Sequence, residues 1–200
     1  MDIEIRKLTP GLAEDYARFF DVTPHDDNKE EHKCYCVCWC SDDSEGKDFS
    51  SREKRREHAV RYVGDGSIQG YLAYRGDEIV GWCNANTKSD CLKCAGWREI
   101  NGPRKGFIPV EDAASGLKVK SVFCFAVAPE MKRQGVATRL LERVCGDAVR
   151  DGFDFVEAYP NKVCAVESEG FGGYKEMYQK SGFSVCGETK KQLIMRKPLK

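Results

Sequence analysis

Residues 122–138 read Val122-Phe123-Cys124-Phe125-Ala126-Val127-Ala128-Pro129-Glu130-Met131-Lys132-Arg133-Gln134-Gly135-Val136-Ala137-Thr138. The first seven residues form an apolar run without a breaker, which predicts a buried strand that ends at Pro129. Apolar residues then recur at helical spacing, and this recurrence predicts a helix from about 135 to 150. A buried strand therefore leads through a basic, glycine-containing turn directly into a helix.

The turn between this strand and this helix is suited to an anionic ligand. Gly135 removes a side chain where a ligand must approach the backbone closely. The first turn of a helix offers unpaired N–H groups and the positive end of the helix dipole. Between residues 117 and 139 there are five basic residues and one acidic residue. This local positive charge indicates a polyanion such as a pyrophosphate; the alternative is an ordinary turn with solvated charges.

The rest of the chain predicts a single α/β domain over residues 1–200, with a mixed sheet. Strands are predicted at 3–5, 71–74, 79–83, 119–128, 155–159, 183–188 and 192–197. Helices are predicted at about 9–20, 51–62, 135–150 and 174–181. Residues 21–50 have no long period, and residues 84–118 form a polar loop insertion. A loop of that length in a compact domain is usually functional or mobile.

Composition excludes several classes of protein. Basic and acidic residues number 32 each among 200 residues, and this zero net charge argues against a nucleic-acid binder. No apolar run approaches the roughly 18 residues of a membrane span, and the N-terminus has no signal-peptide core. We therefore expect a cytoplasmic protein with neither a membrane nor a nucleic-acid partner. The 11 cysteines, an odd number, are then expected to be reduced thiols.

Two motifs resemble the GNAT superfamily of N-acetyltransferases. Lys132-Arg133-Gln134-Gly135-Val136-Ala137 is similar to the family's acetyl-CoA signature, Arg/Gln-x-x-Gly-x-Gly/Ala, with Lys at its first position. Tyr178-Gln179-Lys180-Ser181-Gly182-Phe183 is similar to the Tyr-x-x-x-Gly-Phe pattern of the family's fourth helix and sixth strand. The resemblance implies a single-domain fold with a mixed sheet of about six to seven strands, splayed fourth and fifth strands, and about four helices. Residues 119–183 would be the acetyl-CoA-binding core.

Further motifs resemble a cysteine-rich bacterial subgroup of this family. They are Cys34-Tyr35-Cys36-Val37-Cys38-Trp39, Gly81-Trp82-Cys83, Cys124-Phe125-Ala126-Val127 and Glu157-Ala158-Tyr159-Pro160. Tyr35 stands where the subgroup usually has Trp, and Cys40 stands where it usually has Arg. This narrower resemblance does not identify an acceptor.

The family resemblance implies direct transfer of an acetyl group from acetyl-CoA to a primary amine. The cofactor-binding residues would be Phe125, Ala126 and Val127 for the pantetheine arm, and Lys132, Arg133, Gln134, Gly135, Val136, Ala137 and Thr138 for the pyrophosphate. Tyr178 would protonate the departing CoA thiolate; its alternative role is to pack a helix on the sheet.

The general base is predicted less directly. Glu157 is an acid on an otherwise apolar strand, and burial would raise its pKa toward a useful value. A structural ion pair is the alternative for Glu157. Glu167 and Glu169 are further candidates, and a water relay would need no dedicated base.

In this family the segment between the first two helices usually builds the acceptor site, so residues 34–62 are expected to shape specificity. We predict Tyr35, Trp39 and Trp82 as acceptor-binding residues. In an extended segment, the four cysteines at 34–40 would lie on one face about 6.6 Å apart, too far for two ligands of one zinc ion. No metal site is therefore predicted; the alternative is a four-thiolate site with ligands from Cys34, Cys36, Cys91 and Cys94.

The sequence favours an acetyl-CoA-dependent N-acetyltransferase that acts on a small amine, with a protein lysine or N-terminus as another acceptor class. The alternative is a non-catalytic sensor that keeps the CoA-binding fold and binds a metal or an oxidant through its cysteine cluster. Both a monomer and a homodimer are compatible with the sequence.

Overall fold

A seven-stranded sheet with the strand order β1-β2-β3-β4-β5-β7-β6 forms the centre of the structure. In this computed structural model, residues 2–25, 28–96, 116–163 and 167–200 are described, with the backbone alone at 167–169. The strands are β1 (Glu4–Lys7), β2 (Gly70–Arg75), β3 (Glu78–Thr87), β4 (Val119–Val127), β5 (Phe155–Ala158), β6 (Ser184–Glu188) and β7 (Leu193–Pro198). Neighbouring strands are antiparallel, except that β4 and β5 are parallel.

The structure gives the bounds of four α-helices: α1 (Ala13–Val22), α2 (Arg52–Gly64), α3 (Val136–Arg150) and α4 (Lys175–Lys180). The local sequence explains where they begin and end. The Ser51 hydroxyl accepts the Lys54 N–H at 3.2 Å at the start of α2, as expected of a serine N-cap. Gly152 follows α3 with a φ of 73°, the left-handed conformation that commonly ends a helix.

The helices cover both faces of the sheet. Leu72 and Tyr74 of β2 pack in one apolar layer with α1 and α2, whereas Tyr71 and Ala73 pack in the other with α3. This division follows from the alternation of side chains along a strand. Burial of a large apolar side chain stabilises the folded state by roughly 1.5–3 kcal/mol. The apolar residues on each face of the sheet therefore determine that α1 and α2 cover one face and α3 covers the other.

The predicted fold class is confirmed: the chain forms a mixed α/β sheet with helices on both faces. β3 continues to Thr87, so residues 84–87 are strand rather than the start of the predicted 84–118 insertion. Residues 97–115 of that insertion lie outside the described residues. No helix in the described ranges is both long enough and apolar enough to cross a membrane.

The cysteine-rich segment at 34–40 is not extended, which corrects the expectation of four thiols on one face. Tyr35 and Cys36 have φ angles of 48° and 51°, and Val37–Trp39 forms a short 3₁₀ turn. Apolar burial determines this shape, because Tyr35, Cys36 and Val37 are all buried in the layer beneath α1 and α2.

Candidate active site

β4 continues beyond the end of its neighbour β5. The parallel pairing stops at Val122 and Ala158, whereas the antiparallel pairing with β3 extends to Val127. The register with β3 shifts at this point and leaves Phe123 as an extra residue in β4, a bulge that bends the strand and increases its twist. The fourth and fifth strands therefore splay apart here, as the resemblance implies.

The splay leaves peptide groups of β4 directed into the cleft. The Ala128 N–H donates to the Val80 carbonyl of β3 at 3.0 Å. Because alternate residues direct their peptide groups to opposite sides of a strand, the peptide groups of Phe125 and Val127 point away from β3. β5 ends before it could pair with them. An extended ligand with amide groups can bond here in the way that an added strand would.

The start of α3 presents a second set of donors. Its first hydrogen bond runs from the Arg139 N–H to the Gly135 carbonyl at 3.0 Å, so the N–H groups of residues 136–138 have no partner within the helix. Gly135 has a φ of 82°, a left-handed conformation that costs other residues about 1–2 kcal/mol. Gln134 stabilises the turn on its exposed side, because its side-chain amide donates to the Glu130 carbonyl.

A cavity of about 610 Å³ joins these two sets of groups. Nine of the ten predicted cofactor-binding residues lie in its wall: Phe125, Ala126, Val127, Lys132, Arg133, Gly135, Val136, Ala137 and Thr138. Gln134 does not. The opposite wall includes Phe20, Thr23, Pro24, His25, Lys33 and Cys34, and a third part includes Gly170, Phe171, Gly173, Tyr174 and Met177. The positive helix end and two basic residues make the electrostatics of the α3 side suitable for a polyanion.

Tyr178 lies behind the cavity wall. Its ring is fully buried and packs against Phe183 at a centroid distance of 5.2 Å. Its hydroxyl donates to the Gly172 carbonyl at 2.8 Å, and a Cβ placed on Gly173, which is in the wall, would lie 3.1 Å from that hydroxyl. Burial raises the pKa of Tyr178 well above its ordinary value. The packing role of Tyr178 is therefore observed, and proton donation requires its hydroxyl to leave Gly172.

Glu157 does not reach the cavity and forms the ion pair that was its alternative role. Its side chain is fully buried, and Oε1 accepts from the Lys88 ammonium at 2.8 Å and from the Tyr159 hydroxyl at 2.6 Å. Oε2 accepts from the Arg196 Nε at 2.8 Å. Since donors engage both oxygens, neither faces a substrate proton as a general base must. The side chains of Glu167 and Glu169 lie outside the described residues.

The three residues predicted to bind the acceptor are core residues instead. Tyr35 is fully buried. Trp39 stacks on Phe123 at 4.9 Å between ring centroids, and Trp82 packs edge-on against Tyr16 at 4.8 Å. None of the three lies in the cavity wall that the described residues form. Large aromatic side chains bury the most apolar area, and here they hold the cysteine-rich segment against the sheet.

The cysteines of the four-thiolate alternative make separate contacts. Cys36 contacts Cys34 and Cys124, whereas Cys91 contacts Cys94. Within the described residues, no group of three or more His, Cys, Asp or Glu side chains is arranged to hold a metal ion. The alternative site with two ligands from each pair therefore has no support in this structure.

The wall opposite α3 could not be found from motifs. His25 and Lys33 line it, yet neither belongs to a recognisable pattern. Lys33 is almost fully buried, and its ammonium donates to the Asp21 carbonyl at 2.6 Å. Tyr174 is half-exposed in the third part of the wall. Its position four residues before Tyr178, one helical turn away, is a sequence pattern that could have indicated this wall residue.

Comparison with known proteins agrees with this geometry. The model of the acetyltransferase (GNAT) family matches residues 13–183. The PaiA N-acetyltransferase from Thermoplasma acidophilum, solved in complex with coenzyme A, is 18% identical with a TM-score of 0.54, and the match covers 99% of each chain. A polyamine N-acetyltransferase from Drosophila melanogaster is 13% identical with a TM-score of 0.56 and 98% of each chain covered.

An acetyltransferase of the GNAT family from Streptococcus pneumoniae is 13% identical, with a TM-score of 0.53 and 100% of each chain covered. At these identities the solved structures show the shared fold. No curated protein matches the chain significantly. The family model, however, covers most of the sequence, including the turn before α3 and the Tyr178 motif. The chain therefore belongs to the GNAT family of acetyltransferases, whose acetyl donor is acetyl-CoA.

Proposed function

We propose that this protein transfers the acetyl group of acetyl-CoA directly to a primary amine of a small molecule. The observation that carries the proposal is the cavity. Its wall combines two parts: the α3 helix start together with the β4 peptide groups that pair with neither β3 nor β5, and residues from the α1–α2 side. The first part suits a long polyanionic donor, and the second offers a separate wall for an acceptor. Acetyl-CoA and an amine held side by side in one cavity can react directly, so the transfer needs no covalent enzyme intermediate.

The donor side would hold acetyl-CoA at two places. The N–H groups of residues 136–138 and the positive end of α3 would bind the pyrophosphate, and Lys132 and Arg133 would add positive charge. The peptide groups of Phe125 and Val127 would bond to the pantetheine amides. When bound, acetyl-CoA supplies an activated thioester. A β4 N–H directed at its carbonyl would stabilise the negative charge that develops there.

The acceptor side favours a small amine. The cavity volume of about 610 Å³ falls in the usual range of small-molecule sites, about 300–1,000 Å³. Phe20 and Pro24 supply apolar surface, and the ammonium of Lys33 is already engaged by the Asp21 carbonyl and by the Glu30 carboxylate at 2.9 Å. A protein acceptor would have to insert a side chain or terminus past this wall, so a free small amine fits better.

Two side chains would move the protons. His25 would accept the proton of the attacking amine, because it lies in the described cavity wall, to which no Asp or Glu contributes, and histidine is the usual base near neutral pH. Tyr178 would donate a proton to the departing thiolate, because its raised pKa keeps it protonated. Gly173 leaves the space through which its hydroxyl would reach the cavity.

Calorimetric titration of acetyl-CoA tests the donor site. Gly135→Glu places a carboxylate where the pyrophosphate would bind, in a left-handed conformation that costs about 1–2 kcal/mol. Gly76→Glu is the matched control, because Gly76 has a φ of 60° and open space around it, away from the cavity. We expect wild type and Gly76→Glu to bind alike and Gly135→Glu to lose binding. Equal binding by all three proteins would contradict a pyrophosphate site at the start of α3. No binding by folded wild type would refute the proposed function.

Acetylation of a panel of small amines tests the chemistry. We expect Tyr178→Phe to lower kcat by about 10²–10⁴, the usual contribution of a general acid, and Tyr174→Phe, which removes a hydroxyl of the cavity wall, to lower it far less. His25→Gln should lower kcat and remove the acidic limb of the pH–rate profile. If Tyr174→Phe has the large effect instead, the proton donor is Tyr174. If His25→Gln retains both kcat and the acidic limb, another group or water is the base.

A further inference from the structure

Three thiols form a row that ends at the cavity. Cys36 contacts the thiols of both Cys34 and Cys124, and its N–H donates to the Cys34 Sγ at 3.4 Å. The Cys124 thiol donates in turn to the Phe125 carbonyl at 3.6 Å. Cys34 and Cys124 lie in the cavity wall, whereas Cys36 is fully buried behind them. Two thiols of the wall, Cys34 of the cysteine-rich segment and Cys124 of β4, thus contact one shielded thiol.

The backbone is strained at the place that brings these thiols together. Cys36 and the preceding Tyr35 both have positive φ angles, 51° and 48°. Each such non-glycine residue costs of order 1–3 kcal/mol and persists only where the surrounding structure holds it. Burial of both residues in the layer under α1 and α2 holds them here. The strained turn places the Cys36 side chain between Cys34 of its own segment and Cys124 of β4.

We propose that Cys124 is a modification site for small disulfides that enter the cavity, and that Cys36 resolves the product into an internal Cys36–Cys124 disulfide. In the first step, the Cys124 sulfur bonds to one sulfur of the small disulfide, and the other sulfur leaves as a thiol. In the second step, the Cys36 sulfur bonds to Cys124 and releases the remaining small thiol. Two electrons pass from the two cysteines to the small disulfide, and the two cysteine protons leave with the two thiols.

The cavity explains how these thiols would react although they are not intrinsically reactive. Contact with Cys36 acts to lower the pKa of Cys124, but burial and the neighbouring thiols outweigh it and the pKa is raised. Such thiols react slowly with dilute oxidants. A disulfide held in the cavity is present at a high effective concentration beside Cys124. The bond would remove the thiol donor from the Phe125 carbonyl and tie the cysteine-rich segment to β4.

The proposed ligand is a low-molecular-weight disulfide. Two such compounds, CoA disulfide and glutathione disulfide, are compared in the experiment. CoA disulfide carries a pyrophosphate that suits the α3 helix start, whereas glutathione disulfide carries none. The thiol pair and the cavity do not depend on acetyl transfer; only the expected advantage of CoA disulfide rests on the proposed function. Failure of the proposed function therefore leaves the glutathione disulfide arm as an independent test.

The experiment incubates the reduced full-length protein with each disulfide and maps the products by mass spectrometry without reduction. We expect a cross-linked peptide pair containing Cys36 and Cys124, reversed by a dithiol reductant and formed faster with CoA disulfide. Acetyl-CoA at about ten times its Kd should slow this reaction about tenfold, because about one tenth of the cavities remain free. Cys36→Ala should stop at a stable mixed disulfide on Cys124, while the control Cys145→Ser should behave as wild type.

Several results would overturn this proposal. They are cross-links at other cysteine pairs alone, no adduct on Cys124 in Cys36→Ala, and an unchanged reaction rate in the presence of bound acetyl-CoA. If calorimetry detects no acetyl-CoA binding, the proposed function fails, but a Cys36–Cys124 bond formed by glutathione disulfide still supports the modification site. Absence of that bond with both disulfides refutes it, whatever the outcome of the binding experiment.

Discussion

Substitution of Glu157 by Gln separates a structural carboxylate from a catalytic one. Glu157 and Lys88 are 0% and 4% exposed, and their charged atoms lie 2.8 Å apart. At an effective dielectric constant of about 20, two unit charges at the 2.8 Å of this pair attract by about 6 kcal/mol before desolvation is subtracted. Removing one partner of a buried pair typically costs about 3–5 kcal/mol. We expect Glu157→Gln to lower the free energy of unfolding by that amount.

Denaturant unfolding followed by tryptophan fluorescence measures this loss. In Glu157→Gln the new amide oxygen still accepts from Tyr159, so the loss reports the missing charge beside Lys88 and Arg196. Glu142→Gln, on the exposed face of α3, is the matched control and should change stability by less than about 0.5 kcal/mol. In Glu157→Gln combined with Lys88→Met, part of the stability should return because a buried cation is also removed.

The kinetic outcome decides between the two roles. If Glu157 is structural, the folded fraction of Glu157→Gln keeps the kcat and the pH–rate profile of wild type. Unchanged stability together with a kcat lowered by about 10² or more would show that the carboxylate acts in the chemistry. The reasoning from the ion pair would then be refuted, because a carboxylate held by two cations cannot be removed without a cost in stability.

Three further predictions concern the scaffold. Gly70→Ala should destabilise the protein by several kcal/mol in denaturant unfolding, because its Cβ would overlap the Cys83 carbonyl oxygen and the Trp82 ring; an unchanged midpoint would contradict the close approach. Ser51→Ala should cost about 1 kcal/mol by removing the cap on the Lys54 N–H, and Ser50→Ala is its control. Burial lowers the pKa of Lys120 to about 8, below the value of about 10.4 in an unfolded chain. The native state then binds fewer protons between those values, so stability rises with pH by at most about 3 kcal/mol, and Lys120→Met should abolish this rise in unfolding measurements at pH 7 and 9.5.

The geometry of the wall proposed to hold the donor was predictable because it depends on local sequence. A helix start, a glycine and a buried strand are contiguous in sequence, so residues 125–138 carry both the motif and the geometry. The Tyr178 motif likewise predicted a helix followed by a strand, and both are present. Local hydrogen bonding at the helix start, rather than distant packing, determines these features.

The wall proposed to face the acceptor was not predictable because distant packing builds it. His25 and Lys33 meet the cavity only through the docking of α1 and α2 on the sheet. Tyr35 and Trp39 were predicted to face a ligand, but such large aromatic side chains are more stable buried in the layer beneath these helices. The alternation of apolar and cysteine residues at 34–40 is typical of a strand. The structure has a turn there instead, with two residues in the left-handed conformation. Burial against distant parts of the chain determines this conformation, and local periodicity does not indicate it.

Free peptide groups at a sheet edge are the sites to which strands of other molecules add, and proteins usually cover or shorten such edges. The part of the β4 edge that β5 leaves unpaired is an interior edge in the described part of the chain; it borders the cavity, and the segment Glu167–Gly172 packs beside it. Its enclosure keeps it from the strands of a second molecule but leaves it open to a slender, unbranched ligand. The edge proposed to receive the donor is therefore also protected against strand addition by a second molecule.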